Sequence, residues 1–318
     1  MASNVVNNLN SLFKSINYYS FTIFGNVMMV VGTVATFLGI IVFSHKTMRQ
    51  NAGCIYYIAY YLANGLTLYT SLFAAILSFF NIDPSYNNVA YCKISFYLRI
   101  SLGLIATYIL VLASIDRALI TSSKASIRQR STHRLAYCSI FGVTLFFLLF
   151  YFYLLIIANI YWLTPNYRLC YLPPDSSRVI SYVATVLFDG IIPSFLLVVT
   201  GITTVRNLRK GRVQPIDAAS NGNNDRRSKD RHLFLILLIE IIGYAPLAII
   251  TNAYGIYREA TQYQMKSNDS QAIEYFLSSF PVLLRAMPKC LNFYIYLILL
   301  KSFRRKTFKI LPYFWRQH

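Results

Sequence analysis

Between Arg134 and Arg168 the chain carries no acidic or basic side chain, and "IFGVTLFFLLFYFYLLIIANI" at 140–160 is almost wholly apolar. A helix needs roughly 20 such residues to cross a hydrocarbon core about 30 Å thick. Inside lipid, a backbone must satisfy its own hydrogen bonds, which restricts spanning structures to helices and closed barrels. Comparable apolar blocks occupy 20–44, 53–80, 90–121, 134–160, 178–206, 231–258 and 272–300. The alternating segments of about ten residues that a membrane barrel requires are absent. The expected fold is therefore all-α, a seven-transmembrane helix bundle. Composition agrees: 56% of residues are hydrophobic and 13% charged, against about 25% charged in soluble domains.

The opening "MASNVVNNLNSLFKSINYY" is Asn-rich and lacks the basic start and apolar stretch of a cleaved leader. The first helix is then expected to act as its own insertion signal. Seven spans put the termini on opposite sides, and basic residues choose the orientation. Lys46 and Arg49, the run from Arg117 to Arg134, the run from Arg206 to Arg231 and the tail from Lys301 to Arg316 fall in one alternate set of connections. The positive-inside rule places that set in the cytosol and the N-terminus outside, in a plasma-membrane protein.

The organisation follows: a short extracellular segment at 1–19, the bundle at 20–300, and a basic segment at 301–318. Phe303 and Phe308, interleaved with basic residues in that last segment, predict a short amphipathic interfacial helix before a short cytoplasmic tail. The formal charge of +19 is juxtamembrane charge facing anionic lipid rather than a nucleic-acid surface. The polar stretch 207–230 reads as a mobile cytosolic linker. Asn268, in Asn268-Asp269-Ser270, is the glycosylation sequon, on the outer side.

Cys92 and Cys170 both fall on the oxidising side and are expected to form a disulfide. Cys54, Cys138 and Cys290 read as small buried residues. No spacing fits a metal site, and no phosphate loop or nucleophile elbow is present. Neither a metal, a cofactor nor an enzyme activity is expected.

Arg117 lies 25 positions after Cys92, roughly seven helical turns and enough to cross the membrane. By itself, Asp116-Arg117 could be a simple interfacial anchor. Its companions argue for more. Asp116-Arg117-Ala118 ends the third helix; Pro193 lies in the fifth; Tyr244-Ala245-Pro246 lies in the sixth; Asn292, Phe293 and Tyr296 precede Phe303 in "NFYIYLILLKSFRRKTFKIL". In order and spacing these resemble the switches of rhodopsin-like G-protein-coupled receptors, and the phrase around Asn292 is similar to FMRFamide-type neuropeptide receptors. Ala118, Asn64, Thr36, Gly201, Tyr244 and Phe293 depart from the family pattern, marking a divergent member. The resemblance implies a ligand site at the outer end and a heterotrimeric G protein at the inner one. It makes Asp116 and Arg117 a coupling latch, and Tyr244, Pro246, Asn292 and Tyr296 an activation switch. Opsins attach retinal where this chain has Ala286, so retinal is not implied.

Arg99, Asp189, Glu240, Arg285 and Lys289 stand inside predicted spans, where a charge costs about 2.5–3.5 kcal/mol on the insertion scale. Arg99 and Arg285 suit a carboxylate or an acidic peptide; internal pairing, for example Arg99 with Asp189, is the alternative. Arg99, Asp189 and Arg285 are thus the candidate ligand-binding residues. Lys289 is expected to pair with Glu240 or to sit near Asn64. A transporter or channel with a charged path is the competing reading, and it gives no reason for the receptor-like spacing.

Overall fold

A computed structural model describes residues 12, 15–49, 51–80, 82–164, 167–173, 175–213, 221–261, 268–301, 303–305, 307, 308 and 310. Side chains are described for fewer, those of 208–213, 221–234 and 268–272 being among the exceptions. Seven helices are long and apolar enough to span a membrane: α1 Ser15–Ser44, α2 Gly53–Phe79, α3 Val89–Ile120, α4 His133–Ile157, α5 Ser176–Asn207, α6 Leu235–Arg258 and α7 Phe280–Leu299. Each lies within a few residues of an apolar block, because helix length in lipid is set by hydrocarbon thickness.

Burial ranks the helices. In α3, 56% of the most apolar window is buried, against 17% in α4; α3 is the central pillar and α4 a peripheral stave. Outward faces carry large apolar side chains such as Phe37, Phe141, Phe195, Ile242 and Ile298, as lipid contact demands. Gly39 lets α1 approach α2 closely, since a Cβ there would lie 2.6 Å from the Tyr61 ring.

The structure departs from the sequence expectation in three places. The connection after α4 folds into an antiparallel hairpin, β1 Asn159–Thr164 with β2 Tyr167–Tyr171, a small addition to the all-α bundle. The run "NIYWLT" and "YRLCY" is rich in the aromatic and β-branched residues that favour strands. Second, the polar stretch 207–230 is not a free linker over its described part. One helix continues to Val213 and the helix containing α6 begins at Asn221, while 214–220 lies outside the described residues. Third, Cys138 is exposed, whereas Cys54 and Cys290 are buried as expected. The Asn268 side chain lies outside the described residues.

Three π-helical turns, Ser20–Gly25, Leu68–Phe73 and Val186–Ile191, interrupt α1, α2 and α5. Each extra residue per turn rotates the helix beyond it, and such turns are frequent at functional sites. After α7, the described residues from Lys301 to Ile310 are helical; Phe303 and Ile310 are buried against α1 and α7, while Lys301, Arg304, Arg305 and Phe308 are exposed.

Candidate functional site

Three polar assemblies occupy the bundle. The first closes the end of α3. Arg117, 1% exposed, donates from Nη2 to Asp116 Oδ2 at 2.7 Å and to Asn51 Oδ1 at 3.0 Å. Ser131 Oγ donates to Asp116 Oδ1 at 2.5 Å. A Cβ on Gly53 would stand 1.7 Å from Arg117 Nη2, so α2 must begin with glycine for the guanidinium to lie there. A charge this deep is tolerable only when paired and hydrogen-bonded. The pair is therefore built into the protein, unlike an arginine snorkelling to headgroups.

The second assembly surrounds Glu240, 1% exposed at the middle of the bundle. Tyr60 Oη donates to Glu240 Oε2 at 2.7 Å; the Asn292 amide donates to the same oxygen, and the Tyr296 hydroxyl to Oε1. Three donors from α2 and α7 thus converge on one carboxylate of α6. Phe293 is fully buried beside them, its ring against Tyr61 and Phe303. The expected pairing of Lys289 with Glu240 is not formed, because these three donors already occupy the carboxylate. Lys289 instead shares a cavity with Asn64.

That cavity is the third assembly, about 200 Å³, enclosed by α2, α3, α5, α6 and α7. Its polar wall includes Asn64, Arg99, Asp189, Tyr244, Arg285 and Lys289. Arg285 forms an ion pair with Asp189 and donates from Nε to Thr251 Oγ1 at 3.1 Å. Tyr244 Oη donates to the Asp189 carbonyl at 2.5 Å. Asp189 belongs to the π-helical turn of α5, so one local irregularity joins α5, α6 and α7. The alternative pairing of Arg99 with Asp189 is not formed; Arg285 takes that carboxylate. Arg99 lies 6.0 Å from the Phe96 ring centroid instead.

Cys92 and Cys170 are disulfide-bonded, with Cα atoms 5.6 Å apart. The bridge ties β2 to the start of α3. Next to it, the Tyr171 ring meets Phe96 at 6.0 Å and receives the Arg178 guanidinium at 4.8 Å and that of Arg258 at 5.8 Å. The hairpin therefore packs against Phe96, about one turn along α3 from Arg99. Just outside the membrane-spanning segment, Asp175 caps α5. Hydrogen bonds from Ser177 hold its carboxyl below the usual carboxylate range.

A disulfide pinning a hairpin to one end of α3, with a buried Asp-Arg pair at the far end of the same helix, is a receptor arrangement. The family model of the seven-transmembrane receptors of the rhodopsin family matches residues 35–296. The chain belongs to that family. It is a multi-pass membrane receptor and not an enzyme. No curated protein matches the sequence.

In this receptor, the sequence reading named Asp116, Arg117, Tyr244, Asn292 and Tyr296, and the structure puts each in a polar assembly. Pro246 lies inside α6, half a turn from Tyr244, where its missing N–H leaves the helix a bend point. Sequence reasoning missed Asn51, Gly53 and Ser131 around Arg117, and Tyr60 on Glu240. Asn51 and Gly53 had a faint signal as the polar, small residues that break the chain before an apolar block. Tyr60 had none, one tyrosine among several in "YYIAYY" at 56–61.

Proposed function

We propose that the receptor lies in the plasma membrane with its N-terminus outside, binds a peptide or an anionic small molecule in the cavity, and activates a heterotrimeric G protein. The segment 1–19 is extracellular, 20–300 forms the receptor domain, and 301–318 is an interfacial helix and short cytoplasmic tail. Asn268 is the glycan acceptor. Arg99, Asp189 and Arg285 face the ligand. Tyr244 senses it from α6, Pro246 supplies the bend, and Asn292 and Tyr296 repack as α6 swings out. Asp116 holds Arg117 at rest, and Arg117 turns to the G protein when the inner cleft opens.

The observation that carries this reading is that α6 and α7 wall the cavity and also hold Glu240, Asn292 and Tyr296. A ligand that prefers one arrangement of these helices shifts the population by its differential affinity. A G protein that prefers the same arrangement tightens the ligand in return. Moving the equilibrium from 1:99 to 99:1 takes about 5.5 kcal/mol, within reach of a few buried charge interactions.

The test has two parts. An N-terminal epitope tag should stain on unpermeabilised cells. Expressed with a panel of G proteins and a peptide and organic-anion library, the wild-type chain should give an agonist response that Arg117→Ala removes. An internal epitope, or a response untouched by Arg117→Ala, sinks the assignment.

A further inference from the structure

The cavity holds more cations than anions: Arg99, Arg285 and Lys289 stand against Asp189 alone. Arg285 and Asp189 satisfy each other, and Arg285 is held further by Thr251 and Asn252. Arg99 and Lys289 have no such partner. Among the described residues neither makes an ion pair or a hydrogen bond, and the Arg99 Nε is buried without an acceptor. The charge of Asp83 reaches Arg99 from the loop before α3, but that carboxylate accepts from Ser85 N at 2.9 Å and makes no bond to Arg99. Uncompensated cations in a space shielded from water are costly, and the deficit is two negative charges.

The two cations come from different helices of the cavity wall, α3 and α7. Arg99 is about two turns along α3 from Cys92 and lies 6.0 Å from the centroid of Phe96, which meets the hairpin. Lys289 on α7 is one turn from Asn292, whose amide reaches Glu240 in the middle of the bundle. One monovalent group carries a single negative charge and leaves one of the two cations unanswered. Size restricts the occupant further. A cavity of about 200 Å³ lies below the roughly 300–1,000 Å³ of pockets for drug-sized ligands.

We infer that the cavity takes a short-chain organic dicarboxylate, one carboxylate on Arg99 and the other on Lys289, with the Asp189–Arg285 pair left closed as part of the wall. This rests on the receptor reading and narrows its ligand class. It assigns anion recognition to Lys289, which the sequence reading did not count among the ligand-binding residues, and withdraws it from Arg285. The methylene chain of such a ligand would lie against Leu68, Leu72, Leu104 and Ala286, which line the same cavity.

The experiment is thermal unfolding of the purified full-length receptor in lipid nanodiscs at matched ionic strength. Succinate, glutarate and adipate are titrated against butyrate and acetate. At least one dicarboxylate should raise the midpoint saturably, with an apparent affinity at least tenfold tighter than butyrate. Arg99→Gln and Lys289→Met should each reduce that dicarboxylate to the level of butyrate and raise the midpoint of the anion-free protein. Lys289→Arg keeps the charge and should keep most of the dicarboxylate effect, which separates lost charge from lost folding. No stabilisation by any dicarboxylate, equal stabilisation by butyrate, or full stabilisation in Lys289→Met overturns the inference. The readout needs no G protein. Dicarboxylate binding without signalling therefore removes the receptor reading alone, and signalling without dicarboxylate binding removes this inference alone.

Discussion

The assemblies around Arg117 and Glu240 and the cavity that Arg99 and Lys289 line handle buried charge in opposite ways. In the first, three buried charges have partners from within: Arg117 has Asp116 and Asn51, Asp116 also has Ser131, and Glu240 has three donors. At the second, only Asp189 and Arg285 are matched, while Arg99 and Lys289 face a cavity. Self-satisfied charges hold a conformation. Unsatisfied ones define what must come from outside. A receptor needs both, a self-satisfied region that resists opening and a cavity whose electrostatics favour an occupant.

The contrast can be broken by experiment. The largest effect is expected from Arg117→Ala, which should abolish G-protein activation in a nucleotide-exchange assay while leaving surface staining intact. Glu240→Leu comes next. It strands the donors of Tyr60, Asn292 and Tyr296, each worth about 1–3 kcal/mol when left buried and unpaired, and should lower the unfolding midpoint sharply. Glu240→Gln keeps an acceptor and should lower it less; equal loss in the two variants would mean that packing, not the carboxylate, holds this region. Cys170→Ser opens the bridge between β2 and α3 and should cost about 2–5 kcal/mol, read as a lower midpoint that reducing agent reproduces in the wild type.

Smaller effects sharpen the same comparison. Ser131→Ala removes one partner of Asp116. Weakening the latch by about 1 kcal/mol raises the open fraction roughly fivefold, visible as higher basal activation without ligand. Asp175→Ala should affect neither region and should only speed hydrogen exchange at the first amides of α5. Because the Asp175 carboxyl is held below its ordinary value, the charged cap is fully present above the ordinary carboxylate range and is lost as pH falls through the depressed value. Amide exchange at Ser177, corrected for its intrinsic pH dependence, should thus be protected equally from pH 8 to 5 and less at pH 3.

Much of the fold was legible residue by residue. The seven apolar blocks, the Cys92–Cys170 bridge and the α3 ending at Asp116-Arg117 all follow from local length, charge and spacing. The β1–β2 hairpin was harder to see, since its residues lie against the end of an apolar block and read as its continuation. The helical ends flanking 214–220 were equally hidden, because their composition is that of a linker. Of the site, Asp116, Arg117, Tyr244, Asn292 and Tyr296 were singled out through spacing, but the partners they meet were not.

The sequence by itself determined that this chain threads lipid seven times and roughly which stretches do so, since a helix satisfies its own backbone and needs only apolar length to do so. Which charges meet was decided by the tertiary structure alone. Asp189 closes on Arg285 rather than Arg99, and Glu240 takes two tyrosines and an asparagine rather than Lys289. Those choices depend on how far each helix is rotated and raised against its neighbours, and a π-helical turn such as Val186–Ile191 changes that rotation without any mark in the apolar pattern.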